Sequence, residues 1–197
     1  MSALPKSKVT VAQYLAIERV AEFKSEFYRG EMFAMAGASR FHNRTKENLI
    51  IGVGVQLLGG PCQSFSSDQR VKVSASGLYT YPDIVIVCGQ FEYDPDDIDT
   101  LTNPRVIFEI LSDSTEMYDR VKKFEQYQKI PSLREYVLVC QDRIRVERYV
   151  RQSDDEWLLT VFADPASEFA LATVPVHMPL RDIYAGVEFP PPEAEAL

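Results

Sequence analysis

Two short apolar runs dominate the hydrophobic pattern of this chain, Ile84-Val85-Ile86-Val87 and Val106-Ile107-Phe108-Glu109-Ile110-Leu111. Both are rich in β-branched residues and show no polar alternation, which predicts strands buried on both faces of a sheet. Upstream, Thr10 and Gln13 match a capping box and predict a helix over 10–17. Residues 26–29 and 31–35 read as strands meeting at Gly30. Ser39 is placed to cap a helix reaching Leu58, with Leu49, Ile50, Val53 and Leu57 at helical spacing and Gly59-Gly60-Pro61 as its stop. Within it, Gly52 and Gly54 read as a close packing contact, since Leu57 fills the third position of any dinucleotide fingerprint.

Further strands are expected over 63–67 and 70–74, with a turn at Ser76-Gly77. A helix over 116–129 follows, capped by Asp113 or Ser114 and ended by Pro131. Strands over 134–140 and 144–150 join at Asp142-Arg143, and 157–162 and 169–171 add two more. A last helical turn is expected over 178–184. Residues 190–197, with three prolines and two glutamates, read as a loose tail behind a single domain over 1–189. No internal repeat is visible.

Composition narrows the class. The 197 residues, 46% hydrophobic, suffice for one domain with a true core. No apolar run approaches the roughly 20 residues of a membrane span, and no signal core follows the N-terminal lysines, so a cytoplasmic location is expected. Cys62, Cys88 and Cys140 contain no Cys-x-x-Cys, and their odd number predicts reduced, mostly buried thiols. His42 and His177 are too few for a classical zinc constellation. The net charge of −8 argues against strong non-specific DNA binding. Charge is uneven, however: 118–151 carries nine basic and five acidic residues, whereas 92–99 carries five acids and no base.

The candidate chemistry begins with the acids of the two apolar runs. Asp83 follows Pro82 at the mouth of the first, and Glu109 lies within the second on the face of Ile107 and Leu111. A charge there costs several kcal/mol unless paired or bound to metal. Two such carboxylates on neighbouring strands suit Mg²⁺, which takes one or two carboxylates, waters and a phosphate oxygen. Taken singly, Asp83 reads as an exposed strand-end acid and Glu109 as half of an ion pair. On the next helix Asp119, Lys123 and Tyr127 share a face beside an apolar stripe of Met117, Val121 and Phe124. Lys123 reads either as an ammonium reaching the site or as a surface partner of Asp119. By composition, the Asp94-x-Asp96-Asp97-x-Asp99 run is a solvated loop, Asp68 a turn residue, and Arg143, Arg145, Arg148 and Arg151 a solvated hairpin face. For His42, a capping or packing role is the default.

Pro82-Asp83, Glu109-Ile110-Leu111-Ser112, Ser114-Thr115, Asp119-x-x-x-Lys123-x-x-x-Tyr127 and Pro131-Ser132-Leu133-Arg134-Glu135-Tyr136 together resemble the putative restriction endonuclease family of the PD-(D/E)XK nuclease superfamily. Tyr28-Arg29-Gly30-Glu31 and His42 extend the resemblance weakly towards the N-terminus. It implies a mixed α/β (α+β) restriction-endonuclease-like fold, a central mixed sheet flanked by helices. It also implies Mg²⁺-dependent phosphodiester hydrolysis, with Mn²⁺ as substitute, acting on nucleic acid, DNA before RNA. Asp83 and Glu109 are then the metal ligands and Lys123 completes the catalytic set. Glu31, Asp119 and His42 are accessory candidates, and a homodimer is expected. One departure stands out: the superfamily's lysine two residues after the glutamate is Leu111 here, which transfers that role to Lys123, with Lys122 as the fallback. A second reading, a catalytically inactive binding or scaffold module on the same fold, rests on that departure and on the acidic charge. A phosphatase acting on small phosphoesters is a third.

Overall fold

Thr10 opens the structured chain with the expected capping box: its hydroxyl accepts from the Gln13 amide at 3.2 Å, and Gln13 Oε1 accepts from the Thr10 amide at 2.9 Å. The helix α1 spans Val11–Glu18. This computed structural model describes residues 8–112 and 115–189, so the expected cap at Asp113 or Ser114 and the tail over 190–197 lie outside the described residues. Strands β1 (Ser25–Tyr28) and β2 (Glu31–Ala34) pair antiparallel. Arg29 and Gly30 join them with φ of 52° and 88°, the two left-handed residues that a two-residue hairpin turn requires. Helix α2 (Arg40–Leu57) starts at Ser39, whose hydroxyl accepts from the His42 amide.

The chain then runs through β3 (Cys62–Ser66), β4 (Arg70–Val73), β5 (Leu78–Thr80), β6 (Ile84–Cys88), β7 (Tyr93–Asp94), β8 (Asp97–Leu101) and β9 (Val106–Leu111). A π-helical segment, Tyr118–Lys123, leads directly into α3 (Phe124–Tyr127). After it come β10 (Glu135–Cys140), β11 (Val146–Arg151), β12 (Trp157–Phe162), β13 (Glu168–Ala170), β14 (His177–Pro179) and α4 (Leu180–Ile183).

The central sheet has the order β12-β11-β10-β9-β6-β3. Only β9 and β10 pair in parallel; the other neighbours are antiparallel. Every residue of β9 and β10 is buried, as the apolar runs require of strands covered on both faces. One face carries Ile84, Ile86, Phe108 and Ile110 and packs against Leu49 and Val53 of α2 and against Phe169. The other carries Val85, Val87, Ile107 and Leu111 and packs against Tyr127 and against Val71 of a second sheet, β2-β1-β5-β4-β8-β7. Gly52 lets Met178 approach α2, since a Cβ at that position would stand 2.3 Å from Met178 Cε. Among the described residues no helix is long and apolar enough to cross a membrane.

Several sequence expectations are corrected. Cys62 and Cys88 form a disulfide, because the β3–β6 register sets them directly opposite each other; only Cys140 is a free, buried thiol. The acidic run is not a solvated loop. It forms β7 and β8, with Asp94 held by Lys72 at 2.8 Å and Tyr79 at 2.5 Å, and Asp97 by Arg19, Arg70 and Thr100. Strand β5 was not anticipated from the sequence. The arginines of the β10–β11 hairpin are largely structural: Arg145 pairs with Glu147, Arg148 donates to the Ala170 carbonyl, and Arg151 to those of Leu133, Gln128 and Ile130.

Candidate active site

Pairing β6 with β9 sets Ile84 opposite Phe108 and Val85 opposite Ile107, and one further step of that register sets Asp83 opposite Glu109. Directly opposed residues of an antiparallel pair point to the same face. Both carboxylates therefore project from the face of Val85 and Ile107, under the π-helical segment and α3. The contact is explicit at Asp83, whose Oδ2 accepts from the Ile110 amide at 2.8 Å and from His42 Nε2 at 3.1 Å.

Glu109 is 3% exposed. Its Oε1 accepts from Lys123 Nζ at 3.1 Å and from the Tyr127 hydroxyl at 2.8 Å. Lys123, 6% exposed, also lies 3.2 Å from Glu26 Oε1 and 3.3 Å from Asp119 Oδ1. The surface-pair reading of Asp119 and Lys123 is thus corrected, and Lys122 is exposed. Met117, at 74% exposure, and Val121 do not form a buried stripe. The wide turn over Tyr118–Lys123 rotates Asp119 and Lys123 inward instead, a geometry that recurs at functional sites.

Three carboxyl groups, from Glu109, Asp119 and Glu26, thus crowd one ammonium, two negative charges in excess if all are ionised, and Asp83 beside them is bonded by His42. The energetics follow. Burial, reinforced by Asp119 and Asp83, pushes the Glu109 carboxyl up to about 8, against the pull of Lys123 and Tyr127. Burial likewise raises Asp119, against Lys123. Burial alone would depress Lys123, but Glu109, Tyr127, Glu26 and Asp119 lift it well above the usual lysine range and keep it charged. Asp83 behaves oppositely. Burial would raise it, yet the His42 bond, the Ile110 amide and Lys123 outweigh that and hold it below the usual carboxylate range. Two opposed carboxyls whose proton affinities are driven apart mark a candidate functional site.

Of the residues singled out from sequence, Asp83, Glu109, Asp119, Lys123 and His42 come together here. Glu31 does not: it stands exposed on β2 opposite Tyr28. The acid that reaches Lys123 from that hairpin is Glu26, which also accepts from Thr80 at 2.5 Å and Tyr118 at 2.9 Å. No alternation in β1 singles it out, since the adjacent Glu26 and Phe27 are both buried. Asp68 is a solvated turn acid paired with Lys24.

A mixed sheet flanked by helices places the chain in the restriction-endonuclease-like class of nuclease folds. The chain belongs to the Uma2 family, described as "Putative restriction endonuclease", whose model matches residues 11–180. Two cyanobacterial proteins of Synechocystis sp. are relatives. The uncharacterized protein sll1609 is 38% identical over 152 residues, covering 77% of this chain and 86% of that one. The uncharacterized protein slr1290 is 30% identical over 188 residues, covering 94% and 96%. The fold matches a crystal structure from Anabaena variabilis described as a putative nuclease belonging to DUF820, with TM-score 0.73, 17% identity, and coverage of 89% of this chain and 97% of that one.

Proposed function

We propose that this protein is a Mg²⁺-dependent endonuclease that hydrolyses phosphodiester bonds of nucleic acid, DNA in the first instance. The observation that carries the reading is the buried cluster in which Asp83 and Glu109 stand opposed while one ammonium serves Glu109, Asp119 and Glu26 together. Such an excess of buried negative charge is costly unless protons or a cation offset it.

The donor chemistry suits magnesium. Among the described residues no group of three or more His, Cys, Asp or Glu side chains is placed to hold a metal ion, so the proposed site rests on two carboxylates alone. Two carboxylates completed by water and a phosphate oxygen are what Mg²⁺ accepts. Among the described residues the bonds to Asp83 fall on Oδ2 and those to Glu109 on Oε1, so these two side chains would hold the ion through their other oxygens. When bound, the ion would supply a Lewis acid for the phosphate and lower the pKa of an attacking water. Lys123 offsets the charge that develops on the phosphate as water adds at phosphorus and the ester P–O bond breaks. Tyr127 fixes the Glu109 carboxylate, and Asp119 and Glu26 hold the Lys123 ammonium in place.

Support for a nucleic-acid substrate comes from this site and the family, not from surface charge, because the basic excess over 118–151 is largely spent on Glu147 and on backbone carbonyls. Support for pairing of two copies comes from the edge strand β12, which carries no charge and exposes Leu158, Leu159 and Val161. Sedimentation velocity tests it: Leu159→Lys should lower the observed mass, and a wild-type monomer at working concentration refutes it. The functional test is cleavage of linear, circular and single-stranded DNA and of RNA with Mg²⁺ or Mn²⁺. Wild type should cut at least one, and Asp83→Ala and Lys123→Ala should lose at least a hundredfold. Equal cutting by Asp83→Ala removes the assignment. A folded wild type that binds metal yet cuts nothing identifies a binding module.

A further inference from the structure

Asp83 is clamped from two sides, and one side is a residue whose role is otherwise unexplained. His42 lies in the first turn of α2, with its side chain 13% exposed, and its Nε2 stands 3.1 Å from Asp83 Oδ2. Its Nδ1 is buried and has no hydrogen-bond partner among the described residues. An ionised carboxylate only accepts, so the Nε2 atom must carry the proton that is shared with Asp83. The imidazole is therefore committed, through a single atom, to one oxygen of one carboxylate. Its anchorage is built from elsewhere in the fold. The Ser39 hydroxyl accepts from the His42 amide at 3.1 Å and bonds Gln141 Oε1, just past β10, at 2.6 Å. The chain Gln141–Ser39–His42–Asp83 thus ties the end of β10 and the start of α2 to the mouth of β6.

We propose that His42 is a positioning residue for the cation-binding carboxylate: with the Ile110 amide it pins Asp83 Oδ2, so that Oδ1 alone is presented towards Glu109. A carboxylate held by one donor rotates broadly about its last torsion; two donors on one oxygen fix its plane. The imidazole contacts Asp83 and acts through it, as the outer partners of metal ligands commonly do. The inference rests on the metal reading given above, and its test separates the two.

Mn²⁺ binding is measured by titration calorimetry on the full chain, alongside thermal unfolding without metal. His42→Phe keeps the ring volume and removes the donor, and should weaken Mn²⁺ about 10–100-fold, the usual cost of losing such a partner. His42→Gln, whose amide nitrogen reaches about as far as Nε2, should stay within about threefold of wild type, whereas the shorter His42→Asn should lose at least tenfold. The Gln–Asn comparison decides the matter if His42→Phe does not fold. A purely structural histidine would lower the unfolding temperature in all three variants and leave Mn²⁺ affinity unchanged, and that result overturns the proposal. Wild type that takes up no Mn²⁺ at millimolar concentration, while folded, overturns the metal reading itself.

Discussion

Replacing Lys123 with methionine removes the one ammonium of the buried acidic cluster while keeping most of its aliphatic volume. Three carboxylate oxygens lie 3.1–3.3 Å from its Nζ, and the side chain is 8% exposed. Taking away one partner of a buried ion pair costs about 3–5 kcal/mol, since the remaining charge has no counterion. For a chain of this length that corresponds to a fall of roughly 6–20 °C in unfolding temperature. The penalty must depend on pH. Without the ammonium, the folded-state proton affinities of Glu109 and Asp119, already raised, climb further above those of the unfolded chain. An acid raised in this way destabilises the fold above its folded pKa and ceases to do so below its unfolded one. The loss should therefore be largest near pH 8 and shrink towards pH 5. Adding Glu109→Gln to the variant should recover part of it, because the stranded charge is then removed as well. Calorimetric unfolding at both pH values checks this. A drop of under 2 °C at pH 8, or the same drop at both pH values, refutes the ion-cluster account.

Glu26→Ala should cost about 2–3 kcal/mol, leaving Thr80 and Tyr118 hydroxyls without their acceptor, while exposed Glu31→Ala should stay within about 0.5 kcal/mol in chemical denaturation; equal effects would return the accessory role to Glu31. Because Glu109 holds its proton up to about 8, cation binding at neutral pH must expel it. Mn²⁺ affinity should then rise by up to about tenfold per pH unit and level off above about pH 8, with close to one proton released in calorimetry across buffers of different ionisation enthalpy; a flat profile contradicts this. Gly52→Ala should change stability by less than about 1 kcal/mol, because the flexible end of Met178 can move aside and alanine favours the helix. Gly54→Ala, whose Cβ would meet Ser64 Oγ at 3.7 Å, should gain about 0.5–1 kcal/mol in thermal unfolding.

Much of the fold was legible because its signals are local. The capping residues Thr10 and Ser39 mark α1 and α2, Gly30 marks the first hairpin, and unbroken β-branched runs mark β6 and β9. The misreadings are non-local. Nothing in the spacing of Cys62 and Cys88 shows that β3 will lie beside β6, and nothing in an acid-rich run shows that Lys72 and Arg70 will fold over Asp94 and Asp97. The core acids Asp83 and Glu109 were visible because each interrupts or adjoins an apolar strand. Glu26 was missed for the complementary reason: it sits in a short strand near the N-terminus, and its partners, Thr80 of β5 and Tyr118 and Lys123 of the π-helical segment, are all distant in sequence. The inward turn of Lys123 depends on that same segment, whose i→i+5 geometry has no sequence signature comparable to a cap.

Crystals of the wild-type protein soaked in Mn²⁺ and measured at the manganese edge would locate the ion without reference to activity. One anomalous peak should lie between Asp83 Oδ1 and Glu109 Oε2, within about 2.0–2.3 Å of each oxygen. No peak there in an intact lattice, or one bound elsewhere with Lys123 still seated among the carboxylates, would contradict a cation-dependent hydrolase.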